Sequence, residues 1–260
     1  MTTDARGGSD ARGGSPGSGG LDASGGSPGS GAGQAFVDLH CHTSASFDSL
    51  ASPRSMARAA AARGLTHLAI TDHGTIDGAL AARDAAPDGL TVLIGEEIRT
   101  LEGDLIAMFL ERPVPNGLAA VEAIAAVRDQ GGLVGIPHPF DRFRGSMGRA
   151  GAGAQLDGVI GLAGSVDWIE AWNARILVGD GNQRAAELAR SAGLPGVAVS
   201  DAHTTIEVGV ASTVLQGDPS TAAGLRAALR GPIGLQPGRA SVYARLATPA
   251  AKLLKRVAAR

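Results

Sequence analysis

Short apolar runs typical of β-strands alternate along this chain with alanine- and leucine-rich segments typical of helices. The predicted strands are Phe36–Cys41, His67–Thr71, Thr91–Ile98, Leu105–Leu110, Leu133–Pro137, Val166–Ala171 and Gly196–Ser200, with an eighth at Val208–Leu215. The predicted helices are Pro53–Arg63, Ile76–Ala86, Gly117–Gln130, Asn182–Ala192 and Thr221–Arg230. This alternation predicts an α/β protein with a parallel sheet, closed as a barrel or doubly wound. The third and fourth strands predict a hairpin, which favours a distorted barrel over a regular eightfold one.

The first 34 residues differ from the rest of the chain in composition. They are mostly Gly, Ser, Ala, Asp, Arg and Pro, and the sequence Ser15–Gly19 recurs as Ser27–Gly31. A segment so poor in apolar side chains cannot offset the conformational entropy that ordering would remove. We therefore predict a disordered tail over residues 1–34 and one folded domain over residues 35–260.

Charge and cysteine content narrow the class of protein. A net charge of -2 gives no indication of a nucleic-acid-binding surface, so we expect no stable nucleic-acid partner. The chain has a single cysteine, Cys41, and so cannot form an intramolecular disulfide. Proteins without disulfides are typical of the reducing cytoplasm, where we expect this one to be located. No apolar run is long enough to predict a membrane span. The basic stretch Ala247–Arg260 predicts a final helix that docks with its lysines and arginines facing water, with contact to anionic lipid as the alternative.

Acidic and imidazole side chains stand at the ends of six predicted strands. They are His40, His42, Asp72, His73, Glu96, Glu97, His138, Glu170, Asp201 and His203. The carboxyl ends of parallel strands meet at one edge of the sheet, where α/β proteins form their active sites. Because side chains alternate along a strand, His40 and His42 share one face and can bind one ion, while Cys41 is expected to pack behind them. The sixth histidine, His67, begins a strand and is expected to be structural.

Imidazole and carboxylate together suit Zn, Mn or Fe better than Ca or Mg. The candidate ligands outnumber the four of a single tetrahedral zinc site. We therefore expect two or three divalent ions with a carboxylate between them.

Five short motifs follow one another along the chain: Asp38–Thr43, Thr71–His73, Gly95–Ile98, Pro137–Pro139 and Ser200–His203. In this order they resemble the motifs of the PHP (polymerase and histidinol phosphatase) family. The resemblance covers roughly residues 37–214. It implies a distorted (β/α)7 TIM-like barrel that carries up to three divalent ions and hydrolyses phosphoesters.

The resemblance also implies which residues bind the metal ions. The implied ligands are His40, His42, Asp201 and a bridging Glu97 for a first ion, His138 for a second, and Asp48, His73 and His203 for a third. Glu96, beside the bridging glutamate, should face elsewhere. Many family members have a second histidine ligand where this chain offers Asp104, so the second ion is either held by that carboxylate or weak.

The reaction implied is hydrolysis of a small phosphomonoester or phosphodiester by a metal-activated hydroxide. Arg142 or Arg144, just after His138, is expected to bind the phosphate, with Arg175 as a further candidate. Asp201 or His203 would protonate the leaving oxygen. Nucleotides, histidinol phosphate and short oligonucleotides are the candidate substrates.

Two other functions stay open at this point. Amidohydrolases that cleave carbon–nitrogen bonds also begin with His-x-His, but they usually carry a carboxylated lysine in mid-barrel, and this chain has no lysine before Lys252. A non-catalytic metal-binding PHP domain would show a degraded ligand set, whereas this chain keeps nearly all of it.

Overall fold

A computed structural model describes residues 33–141, 146, 161–162 and 164–258. The strands are β1 (Gln34–Asp38), β2 (His67–Ile70), β3 (Thr91–Arg99), β4 (Asp104–Met108), β5 (Leu133–Ile136), β6 (Trp168–Asn173), β7 (Gly196–Val199), β8 (Ser212–Gln216) and β9 (Ile233–Gln236). The helices are α1 (Pro53–Ala62), α2 (Asp77–Asp84), α3 (Ala120–Arg128), α4 (Gly181–Ser191), α5 (Ala222–Leu229) and α6 (Val242–Ala258). Strand β1 thus begins at the last residue of the predicted tail, of which residues 1–32 lie outside the described part of the chain.

All nine described strands belong to one sheet, in the spatial order β7-β6-β5-β4-β3-β2-β1-β8-β9. The pairs β1–β2, β2–β3, β5–β6 and β6–β7 are parallel. Strand β4 runs antiparallel to both of its neighbours, which confirms the predicted hairpin of β3 and β4. Strand β8 is antiparallel to both β1 and β9.

The two ends of this sheet meet, so the sheet is a nearly closed barrel. The Thr213 hydroxyl of β8 accepts a hydrogen bond from the Ala198 N–H of β7 and donates one to the Ala198 carbonyl, both at 2.8 Å. Above them, the His42 N–H donates to the Ala202 carbonyl at 2.8 Å. The predicted distorted barrel is confirmed. The (β/α)7 count is not confirmed, because the sheet has nine described strands. The sequence did not predict β9, which is short and carries Leu235 at 41% exposure.

Alternation along the strands separates two apolar layers. On β2, Ala69 joins a cluster inside the barrel to which all strands from β1 to β8 contribute. Its neighbours Leu68 and Ile70 instead pack against the helices, where Met56 of α1 meets them. Trp168 is the largest fully buried side chain of the inner cluster.

Glycine at position 135 is what gives Trp168 its space. Gly135 of β5 is paired with Trp168 of β6, and a Cβ at position 135 would overlap the Trp168 indole. Interiors are packed too densely to absorb such an overlap without shifting neighbouring atoms. Gly135 and Trp168 together therefore fill the lower part of the barrel and leave the carboxyl end of the strands to polar residues.

Helix α6 docks on the barrel, as the sequence predicts, but one of its two lysines, Lys255, binds the barrel instead of facing water. The Lys255 ammonium donates to the Ser44 carbonyl at 2.6 Å and also to the Ser46 carbonyl. The prediction was wrong for this residue because the loop after β1 offers carbonyl acceptors that no sequence pattern reveals. None of the helices among the described residues combines the length and the apolar content needed to cross a membrane.

Candidate metal centre

The carboxyl ends of the strands form one rim, and the predicted ligands meet there. His40 and His42 follow β1, His73 follows β2, Glu97 lies on β3, His138 follows β5, and Asp201 and His203 follow β7. Strand β4 runs in the opposite direction, so its first residue, Asp104, is the one that reaches this rim.

Glu97 stands at the centre of the rim. Its Oε2 lies 3.3 Å from His40 Nε2, 3.2 Å from His42 Nε2 and 3.4 Å from His73 Nδ1. Its Oε1 lies 3.2 Å from His138 Nε2. Burial raises the pKa of this carboxyl, but the imidazoles of His73 and His40 outweigh burial and hold it well below its ordinary value. One ionised carboxylate thus contacts four imidazoles from three strand ends.

The residues of the rim fit divalent cations. His40 Nε2 and His42 Nε2 lie only 2.9 Å apart, a distance at which two imidazole lone pairs need a cation or a proton between them. Among the described residues, Oδ1 of Asp48 and Oδ1 of Asp104 are buried and accept no hydrogen bond. An unsatisfied buried acceptor costs about 1–3 kcal/mol, more when it is charged. A metal ion at each carboxylate would remove that cost.

Four overlapping groups of three side chains could each hold an ion. They are His40 with His138 and Asp201, His40 with His42 and Glu97, His42 with Asp48 and His203, and Glu97 with Asp104 and His138. Within each group the donor atoms lie within 4.8 Å of one another. Because the groups share members, the donors form one continuous cluster rather than separate sites.

Asp48 and its two imidazole neighbours form one side of the cluster. Asp48 Oδ2 lies 3.2 Å from His203 Nε2 and 3.5 Å from His73 Nε2. Burial raises the pKa of Asp48, but its contacts with His203 and His73 outweigh burial and lower the pKa far below the ordinary range. Burial and the positive charge of Arg175 lower the pKa of His203 to about 4, so its imidazole is neutral and able to ligate.

Asp104 occupies the opposite side, in a more negative environment. Burial and the charge of Glu97 raise the pKa of Asp104 to about 6. The exposed Arg99 lies beside it, with its Nε 3.9 Å from Asp104 Oδ1. A position that penalises negative charge in this way favours a bound cation.

Glu170 contacts the back of a candidate ligand rather than the cluster itself. Its Oε1 lies 2.6 Å from His40 Nδ1, while its Oε2 accepts hydrogen bonds at 2.9 Å from the His138 N–H and from Asn173 Nδ2. Burial lowers the pKa of His40, but Glu170 and Glu97 outweigh burial and raise it to about 10, so a metal ion would bind Nε2 by displacing its proton. A carboxylate in this position fixes the imidazole so that Nε2 faces the metal.

Two supporting residues, Asp38 and Asn173, were missed by the sequence analysis. Asp38 Oδ1 accepts from the Ser200 N–H at 3.0 Å, and its Oδ2 accepts from the Ser200 hydroxyl and from the Gly209 N–H at 3.0 Å. Asn173 Nδ2 donates to Asp201 Oδ2 at 2.9 Å. The signal for Asp38 was an acidic residue inside an apolar strand. Asn173 gave no such signal.

Cys41 packs behind the rim, as expected from strand alternation. It is fully buried, with its Sγ 3.4 Å from Asp38 Oδ2. Burial and the charge of Asp38 raise the pKa of the Cys41 thiol well above its ordinary value. The thiol is therefore protonated and unsuited to act as a nucleophile.

Glu96 and His67 lie away from the cluster, as expected. Glu96 Oε2 accepts from the Val114 N–H at 2.8 Å, and burial raises the pKa of this carboxyl to about 7. His67 Nε2 lies 3.0 Å from the Ser220 hydroxyl, at the opposite end of β2 from the rim. Asp72 accepts from the Thr43 N–H and hydroxyl, each at 2.6 Å, and so holds the loop after β1.

The predicted phosphate-binding arginines are placed only in part. Arg142 and Arg144 lie outside the described residues. Arg175 is buried, with its Nη1 3.2 Å from Glu207 Oε1 and its Nη2 donating to the Thr248 hydroxyl at 2.7 Å. Its guanidinium therefore has internal partners, which makes it a structural residue of the rim rather than an open phosphate site.

Two candidate ligands adopt backbone conformations that L-residues rarely occupy. His138 has φ 28° and Asp201 has φ 54°. Such conformations cost about 1–3 kcal/mol each and persist only where surrounding contacts impose them. Here the Glu170 carboxylate binds the His138 N–H, and Asn173 binds the Asp201 carboxylate. In this backbone conformation both side chains are directed into the cluster.

Comparison with known proteins identifies the family. Residues 38–136 match the PHP domain, and residues 179–231 match the PHP-associated domain. An uncharacterized protein of Methanocaldococcus jannaschii is 37% identical over 133 residues, which span 47% of this chain and 78% of that protein. The 5'-3' exoribonuclease of Haemophilus influenzae is 32% identical over 117 residues, 40% of this chain and 42% of the enzyme.

A solved structure shows the same fold. It is a two-domain protein from Bacteroides vulgatus containing a predicted PHP-like metal-dependent phosphoesterase, with a TM-score of 0.62 and 20% identity. The similarity covers 79% of this chain and 65% of that one, so this chain spans less than two thirds of its length. The motifs, the clustered donors and the matches agree, and this chain belongs to the PHP domain family.

Proposed function

We propose that this protein is a metal-dependent phosphoesterase that hydrolyses a small phosphomonoester or phosphodiester with two or three divalent ions. The observation that carries the proposal is the contact of the single Glu97 carboxylate with four imidazoles. The proposed ligands are His40, His42, Asp48, His73, Glu97, Asp104, His138, Asp201 and His203. Mixed nitrogen and oxygen donors of this kind suit Mn, Zn or Fe.

The ligands divide among the ions by position. His40, His42 and Asp201 with Glu97 would hold the first ion, and His138 and Asp104 with the other Glu97 oxygen the second. Asp48, His73 and His203 would hold the third. The contact distances around Asp48 and Glu97 support this division. Asp104 joins the set because the reversed direction of β4 brings it to the rim.

Ions held here would supply a nucleophile by lowering the pKa of bound water, and would neutralise charge on the phosphoryl oxygens. The chain's own residues set the geometry. Glu170 holds His40 by its Nδ1, and Asn173 holds Asp201. His203 Nδ1 donates to the Asp201 carbonyl at 2.9 Å, so Nδ1 carries the proton of the neutral ring and Nε2 carries the lone pair. His203 thus acts better as a ligand than as the acid for the leaving oxygen.

An exposed aromatic ring at the rim indicates the kind of substrate. Phe47 is 43% exposed and stacks on His73, with ring centroids 4.9 Å apart. An exposed ring beside the metal centre suits a substrate with a planar heterocycle, such as a nucleotide, a short oligonucleotide or histidinol phosphate. The similarity to an exoribonuclease supports the first two.

The test is metal analysis of the purified full chain, followed by a phosphate-release screen over these substrates with Mn, Zn or Fe added. Glu97→Gln should lower both metal content and turnover, by more than the roughly hundredfold that is usual for residues which only support a ligand. Glu96→Gln is the matched control, because it changes the adjacent buried carboxylate that faces Val114. A wild-type chain that bound no metal and released no phosphate would contradict the proposal, as would a Glu97→Gln variant that behaved like Glu96→Gln.

A further inference from the structure

Helix α6 brings the only two lysines of the chain, Lys252 and Lys255, to the rim of the metal centre. Thr248, Lys252 and Lys255 are spaced by four and three residues, so they lie on one face of the helix. Apart from the histidines, every other basic residue in the chain is an arginine.

Two contacts fix this helix face over the rim. Lys255 donates to the carbonyls of Ser44 and Ser46, which lie in the loop between two candidate ligands, His42 and Asp48. On the other side, Arg175 donates to the Thr248 hydroxyl at 2.7 Å. The helix is therefore attached to the loop after β1 and to the segment after β6, and Lys252 lies between the two attachments.

Lys252 differs from Lys255 in what it contacts. Its Nζ lies 3.9 Å from Asp48 Oδ2 and 5.1 Å from the centroid of the Phe47 ring. Its side chain is 42% exposed. The ammonium has three donors, and at these distances it makes no close hydrogen bond to Asp48. It therefore combines a fixed position beside a candidate ligand with access from solvent.

We infer that Lys252 is a substrate-binding residue whose ammonium binds a non-bridging oxygen of the substrate's phosphoryl group. The inference rests on the proposed phosphoesterase function. An anion placed against an ion at Asp48 comes within reach of an ammonium 3.9 Å from the same carboxylate. Lysine suits this role because it binds phosphate as a compact point charge on a flexible stem. The alternative role, a structural ion pair with Asp48, would affect metal content or stability instead of phosphate affinity.

The experiment compares three variants of the metal-loaded full chain: Lys252→Ala, Lys252→Arg and Arg256→Ala. Arg256 is exposed on the same helix and serves as the control. The measurements are the Kd of inorganic phosphate by calorimetry, the metal content, the Tm, and KM and kcat for a substrate from the screen. Lys252→Ala should weaken phosphate binding and raise KM by about tenfold, with unchanged metal content and Tm. Lys252→Arg should restore most of the affinity, and Arg256→Ala should match wild type.

Unchanged phosphate affinity in Lys252→Ala would overturn the inference and leave the phosphoesterase proposal intact if wild type turns over. Loss of metal or of Tm in that variant, without a specific loss of phosphate affinity, would also overturn it, in favour of the structural ion pair. A wild-type chain that binds phosphate through Lys252 but hydrolyses no substrate would reject the proposed activity and keep the inference. A metal-loaded wild type that binds no phosphate would reject both.

Discussion

The two ends of the barrel are built from the same strands but have opposite chemistry. Strand β2 shows the contrast: it begins at His67, which lies against Ser220, and is followed by His73, which contacts Glu97 and Asp48. At the lower end, Trp168 fills the space above Gly135 in an apolar cluster. At the upper end, buried carboxylates and imidazoles lie close together, and two of them, His138 and Asp201, have strained backbone conformations. From this difference we expect stability to be concentrated at the lower end and ligand binding at the upper end.

The largest effect on stability should come from the lower end. Trp168→Ala should lower the free energy of unfolding by about 3–5 kcal/mol, because it removes the largest buried side chain and leaves a cavity. The measurement is denaturant unfolding of the metal-free chain. Trp172→Ala, at the half-buried tryptophan of the same strand, is the control and should cost less. Equal losses for the two variants would mean that the inner cluster is not the stabilising part of the barrel.

A smaller effect, confined to the rim, should follow from Glu170→Gln. This change removes the carboxylate charge 2.6 Å from His40 Nδ1 and should weaken metal binding about 10–100-fold. Competition with a chromogenic chelator measures the metal affinity. If Glu170→Gln bound metal as tightly as wild type, the role assigned to Glu170 would be wrong.

The smallest effect, on the pH dependence of the unfolding free energy, should come from protonation of His67. Burial lowers the pKa of His67 from 6.5, although the nearby Asp218 raises it in part. The unfolded chain therefore binds this proton more readily than the folded chain, and stability is lost as the pH falls below about 6.5. The difference in unfolding free energy between wild type and His67→Gln should shrink from about pH 7.5 to about pH 5.5. A difference that grew over this range would reverse the sign and contradict the account.

The sequence predicts the rim better than the parts that support it. His40, His42, Glu97 and His138 stand out because polar residues at strand ends break an apolar pattern. Their contacts with one another follow from strand direction alone. Asp104 needed the antiparallel direction of β4, which the hairpin pattern supplies.

The missed features depend on contacts between distant segments. Strand β9 is only four residues long and largely exposed, and it is defined by its backbone pairing with β8 at the sheet edge. Lys255 and Lys252 appeared to be solvent-facing residues of an amphipathic helix. Only the carbonyls of Ser44 and Ser46, some two hundred residues away along the chain, draw that helix face to the rim. No local pattern contains such information.

The central claim is that the rim binds a cluster of divalent ions around Glu97. Anomalous X-ray scattering from crystals of the Mn- or Zn-loaded full chain tests it directly. We expect two or three peaks at the rim, at least one of them in contact with Glu97, His40 and His42. A metal-loaded crystal with no anomalous peak there, or with a single ion that does not contact Glu97, would contradict it.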